Sequence, residues 1–335
     1  MTDIGFIGVG GMGRHQADAF SHIKGVRIAA GADMSPASRE AFLKLFPKAT
    51  VYDDHKQMLA DEKLSGVVVS VPTAYHQPVV SDAIKAGVPV LCEKPFGRTV
   101  AQCKEMIEVS KKTGTFLMVA HCRRFDTHWG QINKIVSSGK LGRPLLWRSM
   151  SVGMGPGPAW FFDENIGGGP MIDGAVHDYD FANLMFGKPV SVIASAINLT
   201  GSSAVNTATA SIEYEKGDQV MLSWSWGLPG TGAGGMDILG SDGTLSQGTG
   251  SADVSGIDQK KYGMMSYTSR KTLKTTVKKY VKTNMYVTQG KHFIDCFKGK
   301  AECLSPPTEA IKAVAVAQAI FKSIKNHGRR AKITW

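Results

Sequence analysis

Short apolar blocks recur through the first 120 residues, separated by amphipathic stretches. An apolar run begins at Ile4 and breaks at Gly8, and a second covers 26–32. A short run follows at Val51-Tyr52, then uninterrupted ones at 66–71, 88–92 and 116–120. Unbroken apolar runs of this length are the mark of strands buried on both faces of a parallel sheet. Helix patterns lie between them. Ser35 can cap a helix that starts at Pro36, another is expected over 55–60, and a third runs from 75 to 86 and stops at Gly87. Thr99 and Gln102 have capping-box spacing ahead of a helix reaching about residue 113. Alternating strands and helices predict a doubly wound parallel α/β sheet.

The pattern changes after about residue 125. A helix over 128–138 and a strand over 145–152 precede a Gly- and Pro-rich loop carrying Trp160, Phe161 and Phe162. A helix is expected over 170–185. Strand-like periodicity then dominates, at 190–199, 208–214, 219–226 and 236–239, with hairpin turns at 214–219 and at Asp242-Gly243. Two helices, 287–297 and 307–326, close the chain. Consecutive strands with short turns predict a second, antiparallel sheet. The expected division is a dinucleotide-binding domain over 1–122 and an α+β domain over 123–335, and a chain of 335 residues is long enough for both cores.

The break at Gly8 carries the first candidate chemistry. Gly8, Gly10 and Gly13 fit G-x-G-x-x-G between a strand and a helix, with Gly11 and Met12 inside the turn. Such a turn leaves backbone N–H groups free to meet a pyrophosphate. Glycine is abundant here, with 38 in the chain, so the spacing alone says little. The context says more. The second apolar run ends at Asp33, 23 residues beyond Gly10, the strand–helix–strand length that puts an acid at the second strand's tip. A carboxylate there accepts hydrogen bonds from ribose hydroxyls and repels a 2′-phosphate. Asp33 therefore favours NAD, while Arg39 nearby leaves NADP open.

Ligands of an open parallel sheet sit beyond the carboxyl ends of its strands. Two further segments are expected there: Ser70-Val71-Pro72 with His76 a turn later, and Glu93-Lys94-Pro95 after the fifth strand. Proline biases Lys94 toward an extended backbone, which suits a cation held over a nicotinamide. Asp173 and His177 stand at i and i+4 of the expected 170–185 helix, so they share a face, and Asp180 follows. A carboxylate beside an imidazole raises its pKa and sets its tautomer, which suits a general base for a hydroxyl proton. A divalent metal or a structural pair is the competing reading of these residues, and the sequence shows no further clustered ligand.

Composition narrows the class. Hydrophobic residues make up 43% and charged residues 20%, as in soluble globular chains, and no apolar stretch approaches a membrane span. No basic region or cleavage site precedes the first strand, so no secretory signal is expected. The five cysteines are odd in number with no C-x-x-C pair, consistent with a reduced, cytoplasmic protein. Cys122 lies near the expected site edge, where a buried bystander is the simpler reading. The net charge is +11, and residues 259–294 carry nine Lys and Arg with no acid. That segment reads as a solvated basic face, an attraction for an anionic substrate, or a charged subunit contact. With few interleaved aromatics and no recognisable motif, nucleic acid is not an expected partner.

Together these motifs resemble the glucose–fructose oxidoreductase / inositol dehydrogenase (Gfo/Idh/MocA) family. The residues that carry the resemblance are Gly8-Val9-Gly10-Gly11-Met12-Gly13, Glu93-Lys94-Pro95, Arg123-Arg124-Phe125, and Gly167-Gly168-Gly169 leading to Asp173-x-x-x-His177-x-x-Asp180. Gly240-Ser241-Asp242-Gly243-Thr244-Leu245 is similar to that family's late hairpin. The resemblance implies an amino-terminal Rossmann domain, a carboxy-terminal α+β domain with a large open sheet, and a nicotinamide cofactor. It implies a sugar or cyclitol substrate and a homodimer or homotetramer built through the open sheet. Lys94, Asp173 and His177 are implied as the catalytic set, with hydride transfer from a secondary hydroxyl as the reaction. Arg124 and Trp160 are candidate substrate contacts. A glycoside-cleaving enzyme using transient oxidation and a non-catalytic nucleotide sensor are the alternatives. Cys122, where similar proteins often carry Asn or Met, and the basic segment depart from the family pattern.

Overall fold

The computed structural model describes residues 1–230, 232–247, 258 and 260–335. The chain divides into two compact units, one of residues 1–125 and 284–311 and the other of 126–283 and 312–335.

In the first unit, β1 (Thr2–Ile7), β2 (Val26–Ala32), β3 (Thr50–Tyr52), β4 (Gly66–Val69), β5 (Val90–Glu93) and β6 (Leu117–Ala120) form one sheet in the order β3-β2-β1-β4-β5-β6. Every pairing is parallel, as the unbroken apolar runs require. Helices α1 (Gly11–Ser21), α2 (Pro36–Leu45), α3 (His55–Asp61), α4 (His76–Lys85) and α5 (Val100–Thr113) alternate with the strands. Their starts follow the expected caps. Ser35 Oγ accepts the Ser38 N–H, and Thr99 and Gln102 complete a reciprocal capping box, each cap contributing about 1 kcal/mol. The strand order reverses between β1 and β4, which places a crevice at the carboxyl ends of those strands. Ile4, Phe6, Phe20, Phe42, Val68, Leu91 and Met118 form the core.

The sequence puts all residues after 122 in the second domain, yet residues 284–311 belong to the first unit. The reason is packing. Phe293 of α8 (Met285–Phe297) is fully buried in the core of the first unit, against Phe116 and over the Cα of Gly66. A side chain at Gly66 would meet that ring at 3.2 Å.

The second unit holds α6 (Thr127–Ser137), β7 (Leu146–Val152), α7 (Val176–Phe186) and β8 (Pro189–Ile197). The strands β9 (Thr207–Tyr214), β10 (Gln219–Ser225), β11 (Ala233–Leu239), β12 (Gly243–Gln247), β13 (Tyr262–Ser269) and β14 (Thr275–Val281) follow. The chain ends with α9 (Pro307–Lys325), whose first residues fall in the first unit, and β15 (Ala331–Lys332). A nine-stranded sheet runs β14-β13-β12-β11-β7-β10-β9-β8-β15, antiparallel except where β7 meets β10. Trp147 of β7 is buried beside Trp129 of α6, which in turn packs on Phe181 of α7, so these helices cover one face. On the other face Arg148, Met150, Met221 and Asp237 border a cavity of about 330 Å³.

Two segments differ from the sequence reading. The basic stretch 259–294 folds as strands β13 and β14 and then the start of α8, which carries Lys291, apart from residue 259, which lies outside the described residues. The expected 170–185 helix begins only at Val176. Ala175 N–H bonds the Pro170 carbonyl five residues back, a wider turn that delays the regular helix. No helix among the described residues is long and apolar enough to cross a membrane.

Candidate active site

Each glycine of the turn after β1 has a separate physical role. Gly8 sits at φ +83°, a left-handed conformation, with the Ser70 and Val71 backbones pressed against its Cα. At Gly13 an added Cβ would lie 1.9 Å from the Gly8 carbonyl oxygen, so only glycine lets α1 approach the turn. At Gly10 and Gly11 an added Cβ would meet no protein atom within 4 Å. The first two glycines serve the fold, and the open pair faces space the chain does not fill.

The start of α1 completes that arrangement. Gly10 is its N-cap and offers no side-chain hydrogen bond, unlike the caps at Ser35, Asp54, Thr99, Asp126 and Asn284. The first N–H groups of a helix lack intrahelical partners and carry the positive end of its dipole. An uncapped start beside open glycines fits an anionic pyrophosphate. Arg14 Nη1 donates to the Val9 carbonyl at 2.8 Å and stiffens the turn from behind. Met12 points into solvent at the rim.

Asp33 stands at the tip of β2. Its Oδ2 accepts the Val9 N–H and its Oδ1 the Ser35 N–H, both at 2.9 Å, so it joins the turn to the start of α2. Arg39 Nη1 donates to the Asp33 and Met34 carbonyls at 2.6 and 3.1 Å, which holds the guanidinium against the backbone of the same tip.

The segments after β4 and β5 adjoin the turn. Ser70-Val71 packs behind Gly8, and Pro72 leads into the turn before α4. His76 lies inside the fold, with its ring nitrogens against the Val71 and Pro95 carbonyls. Glu93 is buried. Its Oε1 accepts from Gln16 Nε2 at 2.6 Å and its Oε2 from the Lys94 N–H at 3.0 Å. Glu93 thus ties α1 to the end of β5 and sets where the half-buried Lys94 leaves the sheet. Sequence reasoning missed Gln16. Its signal is a polar residue on the inner face of α1, three positions after Gly13.

Beyond β6, Cys122 opens a short 3-10 turn (Cys122–Phe125). Burial pushes its thiol up to about 11, with the Tyr286 hydroxyl beside it. A thiol that stays protonated at neutral pH is no nucleophile. Tyr286 itself is pushed up, chiefly by burial, and its ring meets the His15 ring edge-on at 4.4 Å. Arg124 Nη1 donates to the Leu304 carbonyl at 2.6 Å, which anchors this turn to the segment ahead of α9.

In the second unit, Gly167 and Gly169 fold against the aromatic loop, their N–H groups bonding the Trp160 and Phe161 carbonyls. Trp160 stacks on Phe161 with centroids 3.6 Å apart, half-buried. Asp173 is buried in the turn ahead of α7, and His177 stands in that helix's first turn. Asp178, also missed by sequence reasoning, accepts from Trp224 Nε1 at 2.7 Å and from Ser149 Oγ at 3.3 Å. Those bonds fix α7 on the sheet and with it the direction of His177. Asp180 is buried one turn further on. No cluster of three or more His, Cys, Asp or Glu side chains suited to a metal ion occurs among the described residues.

Comparison with known proteins agrees with this geometry. Residues 2–121 match the family model described as the oxidoreductase family with an NAD-binding Rossmann fold, and residues 129–246 match the GFO/IDH/MocA C-terminal domain. The chain is 26% identical over 224 residues to the uncharacterized oxidoreductase YrbE of Bacillus subtilis, spanning 65% of each chain. It is 30% identical over 193 residues to the inositol 2-dehydrogenase of Rhizobium meliloti, spanning 57% of each. The chain thus spans less than two thirds of the length of either relative. Among solved structures it is similar to an oxidoreductase from Agrobacterium radiobacter in complex with NAD+, L-tartaric acid and magnesium, with a TM-score of 0.84 and 20% identity over 99% of this chain and 98% of that one. An open-glycine turn before an uncapped helix, an acid at the tip of β2 and two matching domain models lead to one conclusion: the chain belongs to the GFO/IDH/MocA family of NAD-binding oxidoreductases.

Proposed function

We propose that this oxidoreductase removes hydride from a secondary hydroxyl of a cyclitol or pyranose. The reading is supported first by side-chain chemistry: a lysine at the end of β5, its backbone N–H bonded to the buried Glu93 carboxylate, and a histidine in the first turn of α7, a helix that Asp178 ties to its sheet. The 30% identity to an inositol 2-dehydrogenase supports the substrate class.

Gly10, Gly11 and the N–H groups of α1 hold the pyrophosphate, and Asp33 reads the ribose hydroxyls. When bound, NAD supplies the two-electron acceptor. His177 takes the hydroxyl proton, and Asp173 orients and charges its ring. Lys94 holds the same oxygen and stabilises the negative charge that develops there. Trp160 offers an aromatic face on which a sugar ring can stack, and Arg124 flanks the substrate from its turn. The exposed lysines and arginine of β14 and its flanking turns favour an anionic substrate by raising its local concentration. The exposed face of the nine-stranded sheet, with Met150, Met221, Ile193 and Ile197, pairs with a second copy of the chain.

A substrate panel tests the reading. Purified protein is supplied with NAD and NADP separately and with inositols, aldoses, sugar phosphates and nucleotide sugars. Reduced cofactor accumulating with a cyclitol or pyranose is the expected result. No turnover with any of these, with either cofactor, would overturn it.

A further inference from the structure

One buried ring spans the loops that leave β4 and β5. His76, the first residue of α4, is 1% exposed. Its Nδ1 lies 2.8 Å from the Pro95 carbonyl oxygen and its Nε2 lies 2.9 Å from the Val71 carbonyl oxygen. A carbonyl oxygen only accepts, so both bonds need a proton on both ring nitrogens, and only the imidazolium carries two. A neutral ring would set a nitrogen lone pair against one of these oxygens. Cys92 Sγ is 3.6 Å from Nδ1, but it has a nearer acceptor in the Glu93 carbonyl at 3.3 Å. Desolvation opposes charging a buried ring, whereas two charge-assisted hydrogen bonds favour it.

The two carbonyls are not arbitrary partners. Val71 belongs to the segment pressed behind Gly8, where an added Cβ would meet the Val71 nitrogen at 2.6 Å. Pro95 directly follows Lys94. Holding both fixes the outlet of β5 against the back of the glycine turn. Glu93 fixes the same outlet from the other side, through the Lys94 N–H and Gln16. We propose that His76 is a positioning residue for Lys94: doubly protonated, it staples the Val71 and Pro95 carbonyls together and makes no contact of its own with cofactor or substrate. This rests on the role given to Lys94 above. The ring sets where the ammonium stands, and a misplacement of about 1 Å at a reacting centre costs on the order of 100-fold in rate.

The test uses the full chain with His76→Phe, which keeps a ring but offers no donor, and His76→Gln, which keeps an amide donor. NAD affinity is measured by calorimetry and turnover with a substrate found in the panel. His76→Phe is expected to lower kcat about 10- to 100-fold while NAD affinity stays within about threefold, and His76→Gln to recover part of the loss. If the Phe variant does not fold, the Gln variant carries the same comparison at smaller amplitude. An unchanged kcat, or a loss lying wholly in NAD affinity, would overturn the proposal. Nitrogen-15 spectra of histidine-labelled protein, assigned by the signal missing in His76→Gln, report the ring directly. Two protonated nitrogens at neutral pH are expected, and a singly protonated ring would overturn the staple. If the wild-type chain turns over nothing, Lys94 has no reaction to be positioned for and the positioning role falls with it. The spectrum then still decides whether the ring holds both carbonyls, so the two failures are distinguishable.

Discussion

Adding one methyl group at Gly10 or at Gly13 should have opposite consequences, because the two positions face different things. Gly13→Ala puts a Cβ 1.9 Å from the Gly8 carbonyl oxygen, where real contacts stay beyond 3.0 Å, so α1 and the turn must separate by at least 1.1 Å. Overpacking of that kind costs about 1–3 kcal/mol and lowers Tm by roughly 3–10 °C for a unit of this size. Gly10→Ala meets no protein atom within 4 Å, and its backbone at φ −64° and ψ −158° suits any residue. The apo protein should therefore be unchanged or slightly stabilised, by about 0.4–1 kcal/mol, through the smaller entropy of the unfolded chain. The same methyl stands where the pyrophosphate must approach the α1 N–H groups. Losing one charge-assisted hydrogen bond, about 1.5–3 kcal/mol, weakens NAD binding about 10- to 150-fold. Thermal unfolding with and without saturating NAD measures both effects. Gly10→Ala should keep its apo Tm and lose the NAD-dependent rise, whereas Gly13→Ala should lose apo Tm itself. A Gly10→Ala protein that binds NAD like the wild type would refute the assignment of the open glycines to the cofactor.

Three further outcomes follow from other parts of the site. Asp33→Ser should narrow the ratio of NAD to NADP affinity by about tenfold, because it removes the charge that repels a 2′-phosphate; calorimetric titration with each dinucleotide checks it. His177→Ala should lower kcat about 100- to 10,000-fold with NAD affinity within about twofold, read by turnover and calorimetry on one preparation. Burial pushes the Cys122 thiol up to about 11, so the folded chain favours its neutral form while the unfolded chain ionises it near pH 8.5. Its contribution to stability is whole below about pH 8.5 and is lost as pH rises toward 11. The urea midpoint of the wild type should accordingly fall further than that of Cys122→Ser between pH 8 and 10.5, and equal falls would contradict the burial argument.

Much of the first unit was legible because its signals are local. Unbroken apolar runs gave β1, β2, β4 and β5, and Ser35, Thr99 and Gln102 marked helix starts that the hydrogen bonds reproduce. The glycine turn was legible in spacing, and its division of labour appeared only in three dimensions, where Gly13 touches Gly8 and Gly10 touches nothing. Other features depend on distant partners. Residues 284–311 look like part of the second domain until Phe293 is seen beneath Gly66. The strand β14 shows no alternation because six of its seven residues are exposed, which erases the difference between its faces. Lysines on such an edge are a known guard against unwanted pairing. The stretch before α7 reads as helix because its apolar spacing continues, and the wide turn at Ala175 leaves no mark in that spacing. His76 reads as a ligand contact because polar residues near strand ends usually are, and its inward turn follows from two carbonyls no local pattern encodes.

The central claim is that this NAD-binding chain oxidises a ring hydroxyl using Lys94 and His177. The most direct test follows NADH formation from NAD and a panel of cyclitols and pyranoses with the wild-type protein, Lys94→Ala and His177→Ala side by side. The account predicts steady NADH production by the wild type with at least one ring polyol and a loss of at least about 100-fold in each variant, with NAD still bound. Wild-type turnover that survives either substitution, or a wild type that binds NAD and reduces none of it with any member of the panel, would contradict it.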